Sequence, residues 1–173
     1  MPTSRRPIGP RPVLDEPHAR VVAFELLALK AWSSRDLTRR LRRRGAPPEV
    51  AAAVVGDLTS RGYLDDESFA RFWAEARARG RRLGSIRLRQ ELRAKGIPAA
   101  LVAAAVTAAF DEVPETERVL DAARRRLTAL QRGPAARVAP RLTGYLLRRG
   151  YPPAAVARTV RHLLNIAADD PVD

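Results

Sequence analysis

Apolar residues recur at helical spacing along most of the chain. Val22, Leu26, Leu29 and Trp32 fall at i, i+4, i+7 and i+10, predicting one inward face of a helix from about Ala19. Leu37 and Leu41 mark the inward face of a second, arginine-rich segment. Val50, Val54, Val55 and Leu58 form the stripe of a third. The plan then returns. Phe69, Phe72, Trp73 and Ala76 are expected inward on one helix, and Leu88 and Leu92 on the next. Leu101–Phe110 is nearly all alanine and valine, which predicts a helix buried in the middle of an array. A third round runs through Val119, Ala123, Leu127 and Leu130, then Val138–Arg149, then Ala154–Ile166. No segment alternates with period two, so no strand is expected.

The punctuation repeats with the stripes. Gly45-Ala46-Pro47, Gly96-Ile97-Pro98 and Gly150-Tyr151-Pro152 each follow a basic segment and precede an apolar one, at spacings of 51 and 54 residues. Leu41, Leu92 and Leu146 stand four residues before the glycines, and Leu37, Leu88 and Leu142 eight before. Val55, Val106 and Val160 stand ten after. Each glycine suits the left-handed position that ends a helix, and each proline the start of the next. Ser33 or Ser34 is expected to cap a helix from about Arg35 to Arg44. Asp65 or Asp66 is expected to start another, and Ser85 to cap Ile86–Lys95. Gly80 and Gly84 punctuate a joint, and Gly133-Pro134 breaks the chain before Val138.

The fold class is therefore all-α: a tandem array of three three-helix repeats, elongated and curved. Each repeat is too small to bury its own apolar edges without a neighbour. The expected divisions are 18–62, 63–113 and 114–167. A proline-rich disordered tail covers 1–17, and an acidic tail 168–173.

Composition narrows the function classes. Of 173 residues 46% are hydrophobic, enough for a core, but only 5% are aromatic. With no cysteine, disulfides and thiolate metal sites are excluded and a reducing cytoplasm is allowed. No apolar run reaches membrane-spanning length, and the basic N-terminus lacks a signal peptide's apolar core. A cytoplasmic protein without a membrane partner is expected.

Charge changes the picture most. The formal net charge is +13, and only Lys30 and Lys95 among 32 basic residues are lysine. Codon bias in a GC-rich genome and a need for arginine's planar fork both stay open as reasons for arginine over lysine, but codon bias does not explain the surplus. Residues 33–44 carry six arginines against Asp36. Residues 77–95 carry eight cations against Glu91, and 137–161 six arginines and no acid. Residues 45–75 instead hold six acids against Arg61 and Arg71. The middle helix of every repeat is thus basic. Arg44, Lys95 and Arg149 each precede a terminating glycine, where a cation stabilises the helix dipole. The other arginines exceed that need, and no nearby acids suffice to neutralise them. Arg35, Arg39, Arg42, Arg43, Arg79, Arg81, Arg82, Arg87, Arg89, Arg93, Arg141 and Arg148 are therefore the candidate contacts to an anionic partner, arranged as a discontinuous stripe.

The units also look like helix-turn-helix elements. However, the helices after the turns begin Pro-Pro-Glu-Val, Pro-Ala-Ala-Leu and Pro-Pro-Ala-Ala, with no side chain that reads bases. Phe69, Phe72, Trp73, Tyr63 and Tyr151 are expected to be structural. His18 and His162 lack partners in sequence. Asp65-Asp66-Glu67 reads as a turn, a cap and favourable first-turn charge, and no phosphate-binding glycine motif is present. Neither an enzyme, a cofactor nor a metal site is expected.

Gly62-Tyr63-Leu64-Asp65-Asp66-Glu67-Ser68-Phe69-Ala70 resembles the signature of the RecX regulatory proteins, as does Arg87-Leu88-Arg89-Gln90-Glu91-Leu92-Arg93-Ala94-Lys95-Gly96-Ile97. Ser34 through Gly45 resembles the family's opening pattern, and Leu146 through Tyr151 its closing repeat. Together they cover Ala19 to Leu164. Ala46 departs from the family, which has an aromatic residue there. The resemblance implies a monomeric modulator of the RecA recombinase, acting in DNA repair, homologous recombination and the SOS response. It would bind RecA and its filament on single-stranded DNA and inhibit filament extension, ATP hydrolysis and strand exchange. Contacts to single- or double-stranded DNA phosphate are compatible with it. From the residues alone, a general nucleic-acid-binding helical module and a helical scaffold for an acidic protein stay open.

Overall fold

The computed structural model describes residues 13–165, so most of the expected proline-rich tail and all of the acidic tail lie outside the described residues. Among the described residues there are nine α-helices, a short 3-10 turn at Ala135–Arg137 and no strand. The chain divides into two compact units, residues 1–69 and 70–173.

The first unit holds α1 (Glu16–Leu29), α2 (Ser34–Arg43), α3 (Pro48–Ser60) and the first turn of α4 (Asp66–Gly80). The Asp15 carboxylate accepts from the His18 amide, and Pro17 lies in the first turn of α1. The helix therefore starts ahead of Ala19, and Pro17 belongs to it rather than to a tail. A first-turn proline loses no helical hydrogen bond. Ala19, Ala23 and Leu26 line the buried face of α1, with Leu37 and Leu41 of α2 and Ala51, Val54, Val55 and Leu58 of α3. Leu29 is not inward as expected: it is 81% exposed, because α1 ends there and Lys30 is fully extended. Trp32 lies half-buried with its Nε1 donating to the Leu26 carbonyl. The fully buried Ser33 caps α2 by accepting from the Asp36 amide at 3.2 Å.

The second unit holds the rest of α4, then α5 (Ser85–Ala94), α6 (Ala99–Ala108), α7 (Glu115–Leu130), α8 (Val138–Arg148) and α9 (Pro153–Leu164). Ala70, Ala74 and Ala78 form the buried face of α4. Phe72 is 63% exposed and Ala76 is exposed, against expectation. Phe69 is buried as expected and Trp73 is half-buried; the small side chains at i, i+4 and i+8 make the rest of the inward face, which leaves Phe72 pointing outward. On α6, Val102, Ala105 and Val106 are buried, whereas Ala103, Ala104 and Ala108 are exposed. That helix covers its repeat on one side rather than lying buried all round. Around α7–α9, Val119, Ala123, Leu127 and Leu130 pack with Leu142, Leu146, Tyr151, Val156 and Val160.

Gly84, not Ser85, is the residue before α5. Its amide donates to the Arg149 carbonyl at 2.9 Å, and the Ile86 amide donates to the Gly150 carbonyl at 3.0 Å. The turn after α8 thus docks, backbone to backbone, on the turn before α5. A Cβ at Gly84 would stand 2.4 Å from the Gly150 oxygen, so this joint accepts no side chain there.

Candidate anion-binding surfaces

The α2 helix is short, capped by Ser33, and carries Asp36 in its first turn and Arg40, Arg42 and Arg43 in its last, matching its dipole. With Leu37 and Leu41 buried, Arg35, Arg39, Arg42 and Arg43 are exposed. They line a groove of about 680 Å³ with Thr38, Ala46 and Pro48. Arg39 pairs with Asp36 at 2.6 Å. Arg35 and Arg42 have no acidic partner among the described residues. All four expected contacts of this helix are therefore brought to one concave surface.

The acidic cluster reaches farther than its sequence suggests. Asp65 caps α4, accepting from the Glu67 and Ser68 amides at 2.9 and 3.1 Å. Asp66 accepts from the Ser34 amide at 2.8 Å, closing the open N-terminus of α2 from 32 residues away. The next repeat does the same: Glu115, in the first turn of α7, accepts from the Ser85 amide of α5 at 2.6 Å. A helix N-terminus has four amides without helical partners, and a carboxylate there satisfies both hydrogen bonding and the dipole.

Several arginines expected to be free are engaged by acids. Arg79 pairs with Glu112 and, at 3.3 Å, with Glu75. Arg82, at φ 51°, pairs with Asp121 at 3.1 Å. Hydrogen bonds from Arg125 and then Arg82 hold the Asp121 carboxyl below the usual aspartate value. Arg87 pairs with Glu91 at 3.3 Å and lies beneath Gly150, where a Cβ would come within 2.3 Å of its own Cβ. Glu91 also accepts from Trp73 Nε1 at 3.2 Å, while Arg77 and Lys95 stand 4.2 and 4.1 Å from the Trp73 ring centre. The expectation that nearby acids are too few thus fails for Arg39, Arg79, Arg82 and Arg87. Their partners are distant in sequence or one helical turn away. Arg81, Arg89 and Arg93 are exposed, and Arg89 and Arg93 make no ion pair among the described residues. The Arg81 carbonyl accepts from the Arg149 guanidinium.

In the last repeat Arg141 and Arg148 of α8 are joined by Arg126 of α7. With Leu130, Pro140 and Gly144 they line a groove of about 420 Å³ that contains no acid. Arg126 was not among the expected contacts. Its signal was the run Arg124-Arg125-Arg126 on the polar face of α7, but its partners come from another helix.

His18 lies at the start of α1 with its Nδ1 2.6 Å from an Asp15 oxygen, and His162 is exposed on α9. Among the described residues no three His, Cys, Asp or Glu side chains gather to hold a metal ion, and no helix is long and apolar enough to cross a membrane.

Residues 65–106 match the family model described as RecX, second three-helix domain. The chain is 34% identical over 168 residues to the regulatory protein RecX of Streptomyces coelicolor, covering 97% of this chain and 89% of that one. It is 36% identical over 147 residues to the regulatory protein RecX of Thermobifida fusca, covering 85% and 79%. The crystal structure of RecX from Lactobacillus salivarius aligns with a TM-score of 0.74 over 88% of this chain and 98% of that one. At 14% identity, that likeness speaks for the fold.

Proposed function

Since the chain belongs to the RecX family of regulatory proteins, we propose that it is a non-catalytic regulator of RecA. It binds RecA and the filament RecA forms on single-stranded DNA, and it inhibits filament extension, ATP hydrolysis and strand exchange. It works in the cytoplasm as a monomer and needs no cofactor. The observation that carries this reading is the similarity along nearly the whole chain to regulatory proteins of that name.

The geometry supplies a means. Arg35 and Arg42 on α2, and Arg89 and Arg93 on α5, carry uncompensated guanidinium groups on exposed helix faces. Arginine's planar fork pairs with carboxylate or phosphate in two parallel hydrogen bonds, so these faces suit acidic RecA surface or DNA phosphate alike. Arg79, Arg82 and Arg87 are instead engaged by the protein's own carboxylates.

The test is RecA's DNA-dependent ATP hydrolysis on pre-formed filaments, titrated with this protein beside a single-stranded DNA binding curve at matched salt. Loss of hydrolysis at concentrations that leave naked DNA unbound supports the reading, and potency below stoichiometry identifies capping of a growing end. If hydrolysis falls only when free DNA is covered, the protein competes for DNA and the regulatory reading fails.

A further inference from the structure

The groove of the last repeat shares an acid-free arginine lining with the groove of α2, where Arg39 is paired with Asp36, but draws it from two helices. Its three arginines come from two helices, Arg126 from α7 and Arg141 and Arg148 from α8, and no acid lines it. None of the three makes an ion pair among the described residues. The engaged arginines elsewhere in this unit, Arg79, Arg82, Arg87 and Arg125, each meet a carboxylate. Three guanidinium groups facing one concavity repel one another. Such an arrangement is stabilised when an anion enters.

The groove's form narrows the anion. Arg141 and Arg148 lie seven residues apart on α8, about 10 Å along the axis. That is about the rise of three nucleotides of one strand. Arg126, whose guanidinium also lies 5.5 Å from the Tyr145 ring centre, lines the same groove from α7, so the positive charge forms a short track rather than a point. Gly144 sits between them: a Cβ there would stand 3.1 Å from Arg148 Nη1, so its absence lets that side chain lie along the floor. Leu130 and Pro140 add apolar walls that suit sugar. No side chain caps the N-terminus of α8, whose positive dipole end lies beside Pro140 and Arg141. The groove is lined by only six residues of two adjoining helices, room for one backbone rather than for the two strands of a duplex.

From this geometry we infer that the groove lined by Arg126, Arg141 and Arg148 binds the phosphodiester backbone of a single DNA strand. The inference deepens the proposed function and rests on it: it assigns the DNA contact to the last repeat and leaves α2 and α5 to the protein partner.

The experiment measures binding of a short fluorescein-labelled oligothymidylate by anisotropy across a potassium chloride series. The proteins are the full chain, Arg126→Gln/Arg141→Gln/Arg148→Gln, the same three changed to Lys, and a control of equal charge loss, Arg124→Gln/Arg132→Gln/Arg158→Gln. The control residues are exposed and line no part of this groove. Three lost phosphate contacts flatten the slope of log affinity against log salt by about 2 on a single strand. That flattening is expected for the groove glutamines, with native circular dichroism. The lysine variant keeps the slope, because a point charge still releases a counterion. An equal flattening in the control shows that net charge alone matters, and overturns the inference. So does an unchanged slope in the groove variant, or binding of polyglutamate that the groove variant alone loses. The same variants in the RecA assay separate the two proposals. Full inhibition with an unchanged DNA slope sinks the groove and leaves the regulator. A flattened DNA slope in a protein whose wild type never inhibits RecA does the reverse.

Discussion

Asp66 holds the N-terminus of α2 from the first turn of α4, its carboxylate 2.8 Å from the Ser34 amide. Glu115 repeats the relationship on Ser85. A carboxylate in the first turn of one repeat thus closes the middle helix of the repeat before it, and that middle helix carries the arginines. Asp66→Ala should cost ~0.5–2 kcal/mol, the usual range for a lost N-terminal cap. Asp66→Asn keeps an acceptor and should cost less. Urea denaturation followed by circular dichroism measures both. Equal stability of Asp66→Ala and wild type would show that Asp66 does not bear on α2.

The close approach of Gly84 to Gly150 sets a second expectation. Gly84→Ala forces the two turns apart and should destabilise by roughly 1–3 kcal/mol, the cost of overpacking. Gly56 lies inside α3 with nothing within 4 Å of its would-be Cβ. Gly56→Ala should therefore stabilise by about 0.5–1 kcal/mol. Thermal midpoints of the two variants should move in opposite directions.

Two groups set the expected pH dependence. The Asp121 carboxyl is lowered first by Arg125 and then by Arg82. Its contribution is present above the ordinary aspartate value of 3.8 and is lost as pH falls through the lower folded value. The stability gap between wild type and Asp121→Asn should thus be open at neutral pH and close in acid. The Tyr151 phenol is raised, mainly by burial and then by Glu115. Its contribution is complete below its ordinary value of 10.0 and is lost as pH rises beyond it. Tyr151→Phe should resist alkaline unfolding better than wild type, which melting curves above pH 10.0 will test.

The arginines of α5 divide by role. Arg89→Glu/Arg93→Glu should leave circular dichroism native, since both residues are exposed and glutamate favours helix. It should also raise the concentration for half-inhibition of RecA ATP hydrolysis roughly tenfold, equivalent to ~1.4 kcal/mol. Arg87→Glu should instead lower the melting temperature, because Arg87 pairs with Glu91 and packs beneath Gly150. If Arg89→Glu/Arg93→Glu inhibits as wild type does, that face is not the contact.

Leucine, valine and glycine positions settled much by themselves. The spacing of Leu37, Leu41, Leu88, Leu92, Leu142 and Leu146 determined six core residues that are all fully buried. The glycine turns at Gly45, Gly96 and Gly150 have the positive φ that their sequence context implies. Periodicity reads such features because they depend on the helix's own geometry. It misplaced Phe72 and Leu29 because a helix's inward face is chosen by its neighbours: α4 turns alanines inward, and α1 stops at Leu29.

The charge on each middle helix was likewise legible in the one-dimensional sequence, but its availability was not. Whether an arginine is free depends on carboxylates that the fold brings from elsewhere, as Asp121 comes to Arg82 from 39 residues away. The groove of Arg126, Arg141 and Arg148 exists only because α7 and α8 lie side by side. The sequence by itself determined the helices, their repeat and the sign of their surface. Tertiary structure decided which charges are spent on the fold and which face outward, because an ion pair needs its atoms within about 4 Å, exposed charges are screened beyond about 10 Å, and distances across space are set only by packing.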